Sequence, residues 1–116
     1  MRHERADSND KGWYLGPWNS DLALSIGYAN TGIDEPHVHQ QMSEVYLVAK
    51  GTAQLRVESA TVSLQAGDVI VVEPGEAHTF IASSPDYFHF VIHTPGLTAD
   101  EASNDKQRVA RERLGL

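Results

Sequence analysis

The stretch Glu-Pro-His-Val-His-Gln-Gln-Met-Ser-Glu-Val-Tyr, residues 35–46, sets two histidines one residue apart and follows them with a glutamate. In an extended strand, residues i and i+2 share a face. His37 and His39 therefore point the same way, and Val38 points opposite. Glu44, Tyr46 and Val48 share one face of the strand that follows, and a short turn brings Glu44 opposite the two imidazoles. Burying two imidazoles and a carboxylate together is costly unless something satisfies them. A divalent cation does so, because neutral imidazole nitrogen and ionised carboxylate oxygen are among its ordinary ligands. Taken alone, however, His-x-His on a strand is more often a pair of surface or hydrogen-bonded histidines.

A second stretch changes the weighing. Residues 67–78 read Gly-Asp-Val-Ile-Val-Val-Glu-Pro-Gly-Glu-Ala-His. A glycine turn leads into an apolar strand, then Pro74-Gly75 reverses the chain and delivers His78 at the start of the next strand. Proline fixes φ, and glycine permits the positive φ that such a reversal needs. From there His78 can approach the other three groups across a closed sheet.

The rest of the chain keeps the same rhythm. Period-two alternation and turn residues mark strands over 22–29, 36–40, 44–49, 52–58, 61–65, 69–72, 77–83 and 86–94. Eight short strands in so small a chain have an edge problem, which closure into a barrel or a two-sheet jelly roll solves. The fold class expected is all-β, a single jelly-roll barrel with a short C-terminal helix. Thr98-x-x-Glu101 has the form of a capping box, so a polar helix is expected from there through about Leu114. The charges between Glu101 and Arg113 read as its solvated face. The domain reading is a loose tail over 1–12, a barrel over 13–97 and a helical tail over 98–116.

Composition excludes several classes of function. The net charge of −7 gives no electrostatic reason to seek nucleic acid or anionic lipid. Cysteine is absent, so disulfides and thiolate metal sites are excluded. No apolar run approaches a membrane span, and the polar start lacks the apolar core of a secretory signal. The expected setting is cytoplasmic.

The two stretches together resemble the signature motifs of the cupins, a family of small β-barrel proteins. The first motif reads Gly32, His37-Val38-His39, Glu44, Gly51, with only the first gap one residue short of the family pattern. The second reads Gly67, Glu73-Pro74-Gly75, His78, Ala82, where Glu73 replaces a proline and Ala82 an asparagine. Fifteen residues lie between Gly51 and Gly67, which resembles the spacing of short microbial single-domain members. The resemblance implies a double-stranded β-helix with His37, His39, Glu44 and His78 as ligands of a divalent transition metal. Iron, manganese, cobalt, nickel, zinc and copper all suit such ligands, and the general order of metal affinities does not choose among them. It also implies a homodimer.

Around that centre, Tyr46 is expected to face inward beside Glu44, either as a proton-transfer group or as barrel filling. Glu44 and Tyr46 are the candidate catalytic residues, and Met42 and Phe80 the candidate substrate-pocket residues. Trp13 and Trp18 are expected to cover a barrel end or meet a partner subunit. On the last strand, Tyr87, His89, Val91 and His93 share one face, and Phe88, Phe90 and Ile92 share the other. The apolar face is the one expected to look inward; with the opposite orientation, His89 or His93 becomes a base behind the ligands. By the resemblance, the leading activity is dioxygenase-like chemistry on a small oxygenated substrate. Isomerase or lyase chemistry, and a non-catalytic sensing role with a structural metal, are the alternatives.

Overall fold

The computed structural model describes residues 1–32 and 34–116. Among the described residues, ten strands form two five-stranded sheets. One sheet runs in the order β1 (Lys11–Leu15), β2 (Ser25–Ala29), β9 (Phe88–Thr94), β4 (Ser43–Lys50), β7 (Val69–Val72). The other runs β10 (Lys106–Arg108), β3 (His37–His39), β8 (His78–Ser83), β5 (Thr52–Val57), β6 (Ala60–Gln65). All the strand pairs are antiparallel. The expected all-β jelly roll is the architecture found.

The two sheets close on a core of Tyr46, Val48, Leu55, Leu64, Val72, Phe80 and Tyr87. Leu55, with no exposed surface, sits on the inner face of β5 opposite Phe80. Removing such side chains from water is the main favourable contribution to folding.

Register decides what the interior looks like, because directly opposed residues share a face. Glu44 faces His93, Tyr46 faces Val91 and Val48 faces His89 across β4 and β9. Ser25, Gly27 and Ala29 face His93, Val91 and His89 across β2 and β9. The expectation that the apolar side of the last strand looks inward is therefore overturned. His89 and Val91 are buried, whereas Phe90 on the opposite face is exposed. The reason is that small side chains on β2 leave this end of the barrel as a cavity rather than a packed core. Outside, Tyr28 and Phe88 lie face to face, and Tyr14 packs on Tyr28 and Phe90.

Two further expectations change at the ends of the chain. The stretch before Trp13 already belongs to the sheet, since β1 starts at Lys11 and Asn30 donates its backbone N–H to the Asp10 carbonyl. Ahead of it, the Tyr28 hydroxyl donates to Asp7 at 2.6 Å. At the other end the Thr98–Glu101 capping box is formed, but the helix α1 stops at Asp105. The chain then becomes β10, which hydrogen-bonds to the free edge of β3, and a 3-10 turn over Arg111–Leu114. The helix expected through Leu114 fails because this segment has no apolar stripe, while β3 offers an unpaired edge. Leu114 is fully buried against Val38 and Ala77, which anchors the crossing.

Candidate metal centre

β3 presents His37 and His39 on one face, as the alternation requires. β4 brings Glu44 across from them. The turn at Glu73–Glu76 has φ +86° at Gly75, a conformation that glycine adopts without a side-chain clash. The Gly75 N–H donates to the His39 carbonyl at 2.8 Å, so the turn that delivers His78 is hung on the strand that carries His39. His37 and His78 then stand directly opposite each other across β3 and β8.

One ligand atom from each of His37, His39, Glu44 and His78 lies within 4.8 Å of the others. Glu44 Oε1 is 2.8 Å from Nε2 of both His39 and His78, and 3.5 Å from Nε2 of His37. All four side chains are buried. The structure thus brings together the four residues that the sequence motifs pick out.

The outer nitrogens of the rings show what the inner ones require. His37 Nδ1 lies 2.8 Å from the Glu35 carbonyl and His78 Nδ1 lies 3.0 Å from the Glu76 carbonyl. A carbonyl only accepts, so both Nδ1 atoms carry the proton. His39 Nδ1 lies 3.1 Å from the Asp105 carboxylate, which is also acceptor-only when ionised. A neutral ring anchored in this way turns its Nε2 lone pair inward. Three lone pairs and a carboxylate oxygen aimed at one point repel each other unless a cation lies between them. Anchoring a ligating imidazole through its other nitrogen is the usual support of a metal site. The donor set therefore fits a divalent transition metal.

Electrostatics point the same way. Burial alone would push the Glu44 carboxyl up, but His37, His39, His78 and His93, where a ring proton rather than a cation faces it, hold it well below its ordinary range. Burial works against a charged His78, yet the hydrogen bond and charge of Glu44 outweigh it and raise that ring. The pocket wants positive charge at its centre.

The second carboxylate oxygen has a different company. Glu44 Oε2 accepts from the Tyr46 hydroxyl at 2.8 Å and lies 3.0 Å from His93 Nε2. Burial, followed by the nearby Glu44 charge, pushes the Tyr46 phenol well above its ordinary value, so it holds its proton. The His93 ring packs edge-on against Trp13, with centroids 4.6 Å apart. The centre opens on a cavity of about 840 Å³, whose walls include Met42, Phe80, Trp13 and Trp18.

One residue of the site was hidden from sequence reasoning. Asp105, read as part of a solvated helix face, is buried, contacts His39 and accepts the Gln41 N–H at 2.7 Å. It is the last residue of α1, and only the crossing of β10 over β3 brings it inward. Nothing in the local pattern signals this.

No curated protein sequence matches the chain. Among solved structures, the Streptomyces Pac13, described as a unique nucleoside dehydratase, aligns with a TM-score of 0.68 at 14% identity, covering 93% of this chain and 92% of its own. KdgF from Halomonas sp. aligns at 0.66 with 19% identity, covering 84% of this chain and 90% of its own. A cupin protein from Bacteroides fragilis aligns at 0.62 with 16% identity, covering 85% and 89%. At these identities the likeness establishes the fold. The Cupin domain family model matches residues 27–94, well over half the sequence and all four clustered residues, and the chain belongs to that family.

Proposed function

We propose that the chain is a small metalloenzyme. In this reading His37, His39, Glu44 and His78 hold a divalent transition metal, and the reaction on a small oxygenated substrate is a proton transfer of the lyase, dehydratase or isomerase type. The observation that carries this is the double environment of Glu44. One oxygen faces three imidazoles, and the other is shared by two proton-bearing groups, Tyr46 and His93, on the wall of a large cavity.

A bound cation would supply Lewis-acid polarisation of a substrate oxygen. The protein groups handle the proton. His93 directs Nε2 at the carboxylate, which orients the ring and leaves Nδ1 as the atom that takes a proton from substrate. Tyr46 retains its phenol proton and serves as a hydrogen-bond donor beside the centre. Glu44 is both ligand and link between these two groups. Met42 and Phe80 are the apolar walls against which the substrate lies.

Pac13, as a nucleoside dehydratase, supports proton-transfer chemistry on this fold. The three-histidine, one-glutamate donor set supports a second reading, the dioxygenase-like one. The exposed outer faces of β7 and β9, with Val69, Val71 and Phe90, support a homodimer.

Elemental analysis per chain, with His37→Ala and His78→Ala beside the wild type, tests the centre. Near one equivalent in the wild type and a large loss in both variants is expected. No retained metal after reconstitution would sink the reading. Turnover that persists without O₂ separates proton transfer from dioxygenation.

A further inference from the structure

Deeper in the cavity, beyond Tyr46, lies a histidine that the metal centre does not use. His89 is 4% exposed. Its ring is nearly parallel to Phe80, with centroids 5.2 Å apart, and meets Tyr46 edge-on at 5.0 Å. Its Nδ1 lies 2.6 Å from the hydroxyl of Tyr87, another fully buried side chain. That hydroxyl has no other acceptor among the described residues. If His89 Nδ1 carried the proton, the Tyr87 O–H would be buried without a partner, a cost of a whole hydrogen bond. Tyr87 therefore donates, and Nδ1 accepts. The proton of the neutral ring lies on Nε2.

Nε2 makes no hydrogen bond to any described residue, and the ring lines the cavity. With Nδ1 turned to Tyr87, Nε2 is the ring nitrogen left to face the cavity that His89 lines. Burial lowers His89 to about 4, with Glu44 working weakly the other way, which keeps the ring neutral at physiological pH. A neutral imidazole locked in this tautomer is a donor, the reverse of the base that its place beside the ligands first suggests.

We propose that His89 is a ligand-recognition residue whose Nε2–H, fixed by Tyr87, donates to an oxygen acceptor on the substrate. The substrate class is a compound with two separated oxygen functions, one at the metal centre and one, a carbonyl or hydroxyl, at His89. Phe80 and Tyr46 clamp the imidazole, so the donor costs no reorganisation when the acceptor arrives. The assignment rests on the metalloenzyme reading only for where the other end of the substrate sits.

Nitrogen-15 NMR of the histidine rings in zinc-loaded and in metal-free protein tests it, with acetone as a bare carbonyl probe. The expected result is an Nε2–H tautomer for His89 in both forms, and an Nε2–H proton resonance that moves progressively as acetone is added. Tyr87→Phe should mix the two tautomers and weaken the response. His89→Gln, which places an amide N–H near the same point, should retain a probe-sensitive N–H. A proton on Nδ1, or a resonance indifferent to acetone in both forms, overturns the proposal. Neither readout depends on metal, so an empty metal centre would leave this result standing and would fail the metalloenzyme reading alone.

Discussion

Asp105 touches no candidate ligand atom directed at the centre, yet it sets the orientation of one ring by holding His39 Nδ1. Asp105→Asn keeps the oxygen that accepts from Gln41 and removes the carboxylate charge behind His39. Metal affinity, read by competition with a chelator, should fall about 10- to 100-fold while the fold persists. Tyr46→Phe should leave metal content unchanged, since the phenol bonds the outer carboxylate oxygen at 2.8 Å and reaches His78 Nε2 only at 3.5 Å, and should reduce turnover by about 10²–10³, the usual effect of losing a donor that faces developing charge. His89 makes a pH prediction with a definite sign. Its ordinary value of 6.5 falls to about 4 in the folded chain. Between those values the unfolded chain binds a proton that the native ring refuses, so stability is full above 6.5 and is lost as pH falls towards 4. The loss attributable to this ring is roughly 3 kcal/mol. Urea midpoints of metal-free protein across that window, compared with His89→Phe, would show it as a flatter profile in the variant. The four clustered residues were legible because two local motifs carry them. Asp105 was not, because its contact with His39 spans 66 residues and depends on a chain crossing.

At the scale of elements, strand positions were readable from alternation and turns, but the direction of a face was not. Burial usually sends apolar side chains inward, and β9 reverses this because β2 opposes it with Ser25, Gly27 and Ala29. Hydrophobic pattern reports which residues leave water, and an outer face covered by Tyr14 and Tyr28 serves for that as well as an inner one. The same logic makes Gly27 a close-approach position. A Cβ there would come within 2.7 Å of the Gly12 carbonyl and 2.8 Å of the Trp13 ring. Gly27→Ala should push β1 outward, lowering the melting temperature and shifting tryptophan fluorescence towards that of a wetter indole. Leu55→Ala, by contrast, opens a void between the sheets and should cost roughly 2–5 kcal/mol in urea denaturation with the metal centre intact.

Across the whole molecule, the exposed face that supports pairing of two copies runs along the outside of the sheet whose inside forms the cavity. Val71→Lys places a charge at its centre and should convert a dimer to a monomer in sedimentation velocity, with metal content unchanged. No described helix is long and apolar enough to cross a membrane. The crossing of β10 over β3 has a consequence for how the centre is made. Synthesis is vectorial, so His37, His39, Glu44 and His78 leave the ribosome before Asp105 does. In the metalloenzyme reading, an ion captured by the nascent chain would meet a His39 ring that nothing yet steers and could leave again. Firm retention would begin only when the last strand is laid down, giving the growing protein time to exchange a wrongly acquired ion before the door closes.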